Sequence, residues 1–319
     1  MRLTIISDGQ MPTPSPNTHG LGRVAYDLAR MFRDRGHDVT LVGSQGSACE
    51  GVRVVEACPP VLGAVQMTEE AVARAALGTE YDAILDISHS HVASYKEPRS
   101  VIFHQDPTPL KDHPSIYYIS KAQRDVCQAD GGIMINRLYR PHIVEGAHRY
   151  DVALFLGNIV PHKGAHYAIE VAKRAGIKLW VAGKVLDGAY GQKVLSMCDD
   201  DRVTYIGPLD EREKYRTLAQ VRLLLSCPNK GYVNYTETAQ LAVEEAALSG
   251  VPVVSSKCGG VVEYAIPGIG LNGENIAEMA ALVPEALAMD SEAVRAKARE
   301  TFLLENHAEE WEHIMEGVA

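Results

Sequence analysis

The sequence has no apolar run close to the roughly 20 residues that a membrane-spanning helix needs, and Met1-Arg2-Leu3-Thr4-Ile5-Ile6 meets Asp8 before the apolar region of a leader forms. It also lacks an excess of basic charge: 31 Lys and Arg stand against 41 Asp and Glu, a formal net charge of −10. That balance argues against a broad electrostatic footprint for nucleic acid or anionic membrane. The six cysteines (Cys49, Cys58, Cys127, Cys198, Cys227, Cys258) include no C-x-x-C pair and no histidine at zinc-site spacing. Free buried thiols are expected, and with no transmembrane segment they point to a cytoplasmic chain. No G-x-S-x-G elbow is present, so a serine-triad hydrolase has no support.

What is there is an ordinary globular composition, 46% apolar and 23% charged, in 319 residues. At roughly 150 residues per domain that length predicts two domains. Short apolar runs of strand type alternate with helix-period segments, which places the chain in the α/β class with largely parallel sheets. In the first half the expected strands are 3–7, 38–42, 83–87, 101–104, 116–119 and 132–135. Val24, Leu28, Met31 and Phe32 mark a helix by their i, i+4, i+7, i+8 spacing, and Gly36 stops it. A second set of strands is expected at 151–156, 178–182, 203–206, 221–226 and 251–255. The stretch 136–150 breaks the alternation and reads as a linker. We therefore expect an N-terminal domain over 1–147, a second over 148–300 and a closing helix over 301–319. Because ligands of open α/β sheets sit at the carboxyl ends of the strands, two such domains point to a site in the cleft between them.

Gly20-Leu21-Gly22-Arg23-Val24-Ala25 fits G-x-G-x-x-A and opens a helix, where exposed backbone N–H groups and the helix dipole favour an anion. A nicotinamide-binding reading fits poorly. The loop does not turn tightly off the first strand, since 9–19 intervenes with Pro12, Pro14 and Pro16, and no acid ends the second strand at Val42-Gly43-Ser44-Gln45. In the second half, Phe155 to Gly164 runs off a strand and sets Lys163 at a helix start, a position suited to a phosphate. It is not a Walker A loop, because no glycine immediately precedes Lys163 and no Ser or Thr follows it. Glu237 and Glu245 lie in one segment that ends at Gly250 and a buried-type strand, so the first would stand before a helix and the second two turns into it.

These segments, taken in order, resemble the retaining, nucleotide-sugar-dependent glycosyltransferases of the GT-B fold, the group that includes glycogen synthase-like and bacterial mannosyl- and glucosyltransferases. Gly20 to Arg23 through Arg35-Gly36-His37-Asp38-Val39 resembles that group's N-terminal glycine loop and "G-H-x-V" strand. Tyr118 to Arg124 resembles its "S-x-x-x-R" segment, and Gly157 to Gly164 its "G-R-x-x-x-x-K-G" loop. Glu237 to Val254 resembles its E-x7-E motif, Cys258 to Glu263 its "G-G-x-x-E" turn, and His307 to Ile314 its last helix, which crosses back to the first domain. The resemblance implies two Rossmann-like domains and sugar transfer with retention to a hydroxyl acceptor, a small molecule or glycan. It implies a UDP or GDP sugar as donor, no metal and no other cofactor.

By that resemblance Lys163 would hold the donor diphosphate, helped by backbone N–H groups around Gly20 and Gly22. Glu245 would bind the ribose, Glu237 the donor-sugar hydroxyls, and His104 would lie close to the reacting sugar. His89, His91 and Asp106 are candidates for the acceptor side. Two departures stand out. Asn158 replaces the arginine that accompanies the lysine, which leaves Arg23, Lys184 or another cation to compensate. Thr238-Ala239-Gln240 replaces "G-F-G" after the first glutamate, and the insertion-like 229–235 precedes it. The D-x-D within Asp199-Asp200-Asp201 falls between a helix and a strand and reads as a solvated connection. The rival functions are a nucleotide-sugar epimerase of the same fold and a catalytically degenerate nucleotide-sugar-binding protein.

Overall fold

A computed structural model describes residues 1–14, 20–144, 149–228 and 237–319. They form two units, one of Met1–Arg140 with Leu303–Ala319 and the other of Pro141–Phe302.

In the first unit seven strands make one parallel sheet among the described residues: β1 (Arg2–Ile6), β2 (Asp38–Ser44), β3 (Arg53–Cys58), β4 (Ala83–Asp86), β5 (Ser100–His104), β6 (Ile116–Tyr118) and β7 (Gly132–Ile133). Their spatial order is β3-β2-β1-β4-β5-β6-β7. The order reverses between β1 and β4, and a crevice opens at the carboxyl ends of the strands at such a switch point. Helix α1 (Gly20–Asp34) forms where the apolar spacing predicts it: Val24, Leu28, Met31 and Phe32 are all buried. Gly36, at φ 89°, ends the turn in a conformation open to glycine. Helix α2 (Val65–Leu77) buries Val72, Ala73 and Ala76 against Ile6, Val42 and Ile84 of the sheet. Each of the larger side chains removed from water there contributes about 1.5–3 kcal/mol. Helix α3 (Lys121–Cys127) is N-capped by Ser120, whose side chain accepts from Gln123 N.

In the second unit the strands are β8 (Val152–Leu156), β9 (Lys178–Ala182), β10 (Val203–Gly207), β11 (Leu223–Ser226), β12 (Val253–Ser256) and β13 (Gly270–Gly273). They are parallel in the order β10-β9-β8-β11-β12-β13, with the switch point between β8 and β11. The helices are α4 (Ala165–Ala175), α5 (Gly188–Ser196), α6 (Glu211–Gln220), α7 (Leu241–Leu248), α8 (Ile276–Leu287) and α9 (Ser291–Phe302). Phe155, Leu179 and Val181 pack under Ala168, Ile169 and Ala172 of α4 and Val283 of α8, which is why these strands read as continuous apolar runs. The closing segment of the chain, with its helix Ala308–Glu316, belongs to the first unit: Leu304 N donates to Leu138 O, and Trp311 meets Phe103 edge to face at 4.9 Å.

The α/β class and the parallel sheets agree with the sequence pattern. Two strands went unpredicted. β3 is a half-exposed edge strand, and β13 (Gly-Leu-Asn-Gly) carries no β-branched or aromatic residue, so its pairing with β12 comes from tertiary context. No helix of the described residues is long and apolar enough to cross a membrane.

Candidate active site

At the carboxyl end of β8 the chain passes Gly157 and the exposed Asn158, makes a 3-10 turn at Pro161–Lys163, and enters α4 through Gly164. Gly164 sits at φ 72°, and a Cβ there would lie 1.7 Å from the carbonyl oxygen of Cys227 just past β11. Only a glycine lets the turn settle so closely on the neighbouring strand. Lys163 is thereby brought to Glu237: its Nζ donates to Oε1 at 2.8 Å and Oε2 at 2.7 Å. Glu237 is nearly buried, so this is a shielded, doubly bonded pair. Gln240 Nε2 also donates to Glu237 Oε2 at 3.3 Å, while the Gln240 carbonyl accepts from Ser226 Oγ. Gly260 N donates to Glu237 O at 2.7 Å, which ties the Gly-Gly turn after β12 to the same glutamate.

Glu245 is engaged elsewhere. It lies in α7 as expected, but Lys214 of α6 donates to its Oε1 at 2.5 Å and to Glu211 at 2.7 Å, and both Lys214 and Glu245 are buried. Burial works against the Lys214 charge, yet the two carboxylates hold its ammonium above the usual lysine range. Sequence reasoning missed Lys214. Nothing in the charged run Glu211-Arg212-Glu213-Lys214 marks which cation turns inward. Gln240, the last of the three residues that depart from "G-F-G", is thus bound to the first glutamate itself. The segment 229–235 lies outside the described residues, and Asp199 folds the triple-aspartate run into a turn by accepting from Arg202 N and Val203 N.

In the first unit the switch point gathers the candidate histidines. Asp86 closes β4, accepts from Ser88 Oγ at 2.6 Å and Ser94 Oγ at 3.0 Å, and faces His91 Nδ1 at 3.3 Å. His91 Nε2 meets His104 Nδ1 at 3.0 Å, and His104 Nε2 meets the carbonyl of Thr108 at 2.9 Å. A carbonyl only accepts, so His104 carries its proton on Nε2 and its Nδ1 accepts from His91. Burial opposes the charge on Asp86, but His91 and Ser88 keep its carboxyl below the usual range. Burial, and then His91, lowers His104 to about 4. His104, at the end of β5, is fully buried with both ring nitrogens hydrogen-bonded. Gln123, another residue missed from sequence, fixes that loop by donating to the carbonyls of His104 at 3.1 Å and Asp106 at 2.8 Å.

His89 and Asp106 form a separate, partly exposed pair, Nδ1 donating to Oδ2 at 2.6 Å. Burial disfavours the charged ring, but Asp106 outweighs it and raises His89 to about 8. Gly20 and Gly22 lie inside the first turn of α1, Gly22 buried, and the loop 15–19 ahead of them is outside the described residues. Arg23 donates to the buried Asp27 at 2.8 Å.

Residues 150–293 match the family model described as Glycosyl transferases group 1. Over the whole chain, the solved structure of AviGT4, a glycosyltransferase involved in avilamycin A biosynthesis, is similar with a TM-score of 0.83 at 22% identity, covering 99% of this chain and 97% of that one. The sucrose-phosphate synthase of Thermosynechococcus elongatus is similar with a TM-score of 0.78 at 13% identity, over 100% and 99% of the two chains. The fold is GT-B. The structure of Anabaena HepE in complex with UDP-glucose is also similar, with a TM-score of 0.74 at 17% identity over 99% and 100% of the two chains. A search of curated proteins found no match. The stretch matched by the family model contains Asn158, Lys163, Glu237 and Glu245, the donor side of the GT-B resemblance.

Proposed function

We propose that this protein is a glycosyltransferase that moves a sugar from a UDP or GDP sugar to a hydroxyl acceptor, with retention and without a metal. The observation that carries the reading is the Lys163–Glu237 pair at the β8/β11 switch point, inside the segment that matches Glycosyl transferases group 1. A switch-point crevice is where an open α/β sheet takes its ligand, and an ammonium beside a helix start suits a diphosphate. When the diphosphate takes Lys163, Glu237 is released to accept hydrogen bonds from hydroxyls of the donor sugar. As the bond to the leaving group breaks, negative charge gathers on the diphosphate and the sugar becomes oxocarbenium-like, so a fixed cation and an adjacent carboxylate stabilise both halves of the transition state.

In this reading Asn158 lines the donor, Glu245 binds its ribose while Lys214 holds Oε1, and Gly20 and Gly22 supply backbone donors. His89, His91 and Asp106 belong to the acceptor half. His104 acts through His91 and Thr108 rather than by touching sugar. The leaving diphosphate takes the acceptor proton. The structure of HepE with UDP-glucose supports a UDP sugar as the first donor to try.

The test is calorimetric titration with UDP, GDP, ADP and dTDP and their glucose or mannose conjugates, followed by turnover with the best donor. Glu237→Gln keeps a hydrogen-bonding side chain beside Lys163 and is expected to lower turnover about a hundredfold with a small change in thermal stability. Wild-type turnover in Lys163→Met and Glu237→Gln, or no nucleotide binding at all, sinks the reading. Product formation without an acceptor would instead identify an epimerase.

A further inference from the structure

The diphosphate face of the second unit is short of charge. Lys163 is already balanced by Glu237, and position 158 beside it is a neutral asparagine. A bound diphosphate brings more negative charge than one shared ammonium offsets, so a second cation on the same strand ends is needed.

The register of the sheet points to one. β8 pairs with β9 at a constant offset of 26, from Val152 opposite Lys178 to Leu156 opposite Ala182. The same offset continues past the strand ends, where Ile159 bridges to Val185 and Ile159 N donates to Lys184 O at 2.8 Å. Position 158 therefore stands opposite Lys184. The two backbones are pressed together just before this point, since a Cβ on Gly183 would lie 1.8 Å from the carbonyl oxygen of Gly157. Side chains paired across neighbouring parallel strands leave on the same side, with backbones about 4.8 Å apart. Lys184 is exposed, and no ion pair engages it among the described residues. Other cations at strand ends are committed: Lys257, following β12, pairs with Glu274 at 3.4 Å.

We propose that Lys184 is a second diphosphate-binding cation, carrying one strand over the positive charge that position 158 lacks. This rests on the reading of the second unit as the nucleotide-sugar half. It assigns the β9 loop a binding role and predicts that the charge can be moved back across the register.

The experiment measures affinity for UDP and GDP by calorimetry, using the tighter of the two, with the matching nucleoside as control. In Lys184→Gln, affinity for the diphosphate is expected to weaken about tenfold, the loss of one charge-assisted hydrogen bond, while nucleoside affinity holds. Lys184→Arg retains binding, and the double variant N158R/K184Q recovers it. The exposed position makes Lys184→Gln neutral for folding, which thermal unfolding checks. Unchanged diphosphate affinity in Lys184→Gln, or an equal loss toward the nucleoside, overturns the assignment of Lys184 and leaves the glycosyltransferase reading standing. If the wild-type protein binds neither diphosphate, both fall together.

Discussion

His104 shows how much a side chain's surroundings decide its chemistry. An unfolded histidine titrates near 6.5, whereas burial and the facing His91 bring His104 down to about 4. Between those values the unfolded chain binds a proton that the native protein refuses. The contribution of His104 to stability is fully present above pH 6.5 and is lost as the pH drops toward 4, about 3 kcal/mol from this one group. Denaturation curves at pH 7 and pH 5 should show this loss in the wild-type protein and a smaller one in His104→Gln. Equal losses would mean another group is responsible. At the other buried ion pair, Lys214→Met strands Glu245 without a countercharge and should cost roughly 3–5 kcal/mol. Adding Glu245→Gln should return most of it, as read from the shift in the urea midpoint. Neither outcome was legible in the sequence. A histidine at the end of a strand and a lysine in a charged helix look alike whether they face solvent or the interior.

The turn between β8 and α4 is an element whose shape depends on one residue. Gly164 and Gly176 share nearly the same left-handed backbone, φ 72° and 73°, but a Cβ at Gly176 meets nothing within 4 Å, whereas at Gly164 it would overlap the Cys227 carbonyl. Gly176→Ala should therefore cost about 1–2 kcal/mol, the conformational strain alone. Gly164→Ala should cost more than that and also displace Lys163, so its diphosphate affinity falls while that of Gly176→Ala does not. Calorimetry on the two variants distinguishes strain from the loss of the close approach. Elements of this kind were largely readable: the strand, the lysine and its glycine stand together in Leu156-Gly157-Asn158-Ile159-Val160-Pro161-His162-Lys163-Gly164 because the local chain builds them. What was hidden is what pairs at long range. β13 has no strand signature of its own, and the register that sets Lys184 opposite Asn158 belongs to two strands at once. The glycines at 20 and 22 predicted a helix opening correctly, although they stand within its first turn.

At the scale of the whole molecule the first unit is discontinuous in sequence: Leu303–Ala319 completes it after the second unit has been traversed. The joining interactions are specific. Arg35 makes a bidentate pair with Glu312 at 2.6 and 2.7 Å, His37 meets the same carboxylate at 3.0 Å, and the buried Trp311 packs on Phe103 of β5. Deleting 303–319 should therefore lower hydrogen-exchange protection in β1, β4 and β5 while the amides of β8, β9 and β11 keep theirs. The opposite pattern would show that the segment serves the second unit. The discontinuity also bears on how the protein is made. A ribosome adds about 5–20 residues per second, so the 179 residues after Arg140 take roughly 10–35 s to appear. Throughout that interval the nascent first unit lacks the tryptophan that covers Phe103, and the second unit, contiguous in the chain, has all its parts before the first one does. Translation thus reverses the order in which the two halves can finish, and the early half is the one that must be kept from aggregating on the ribosome.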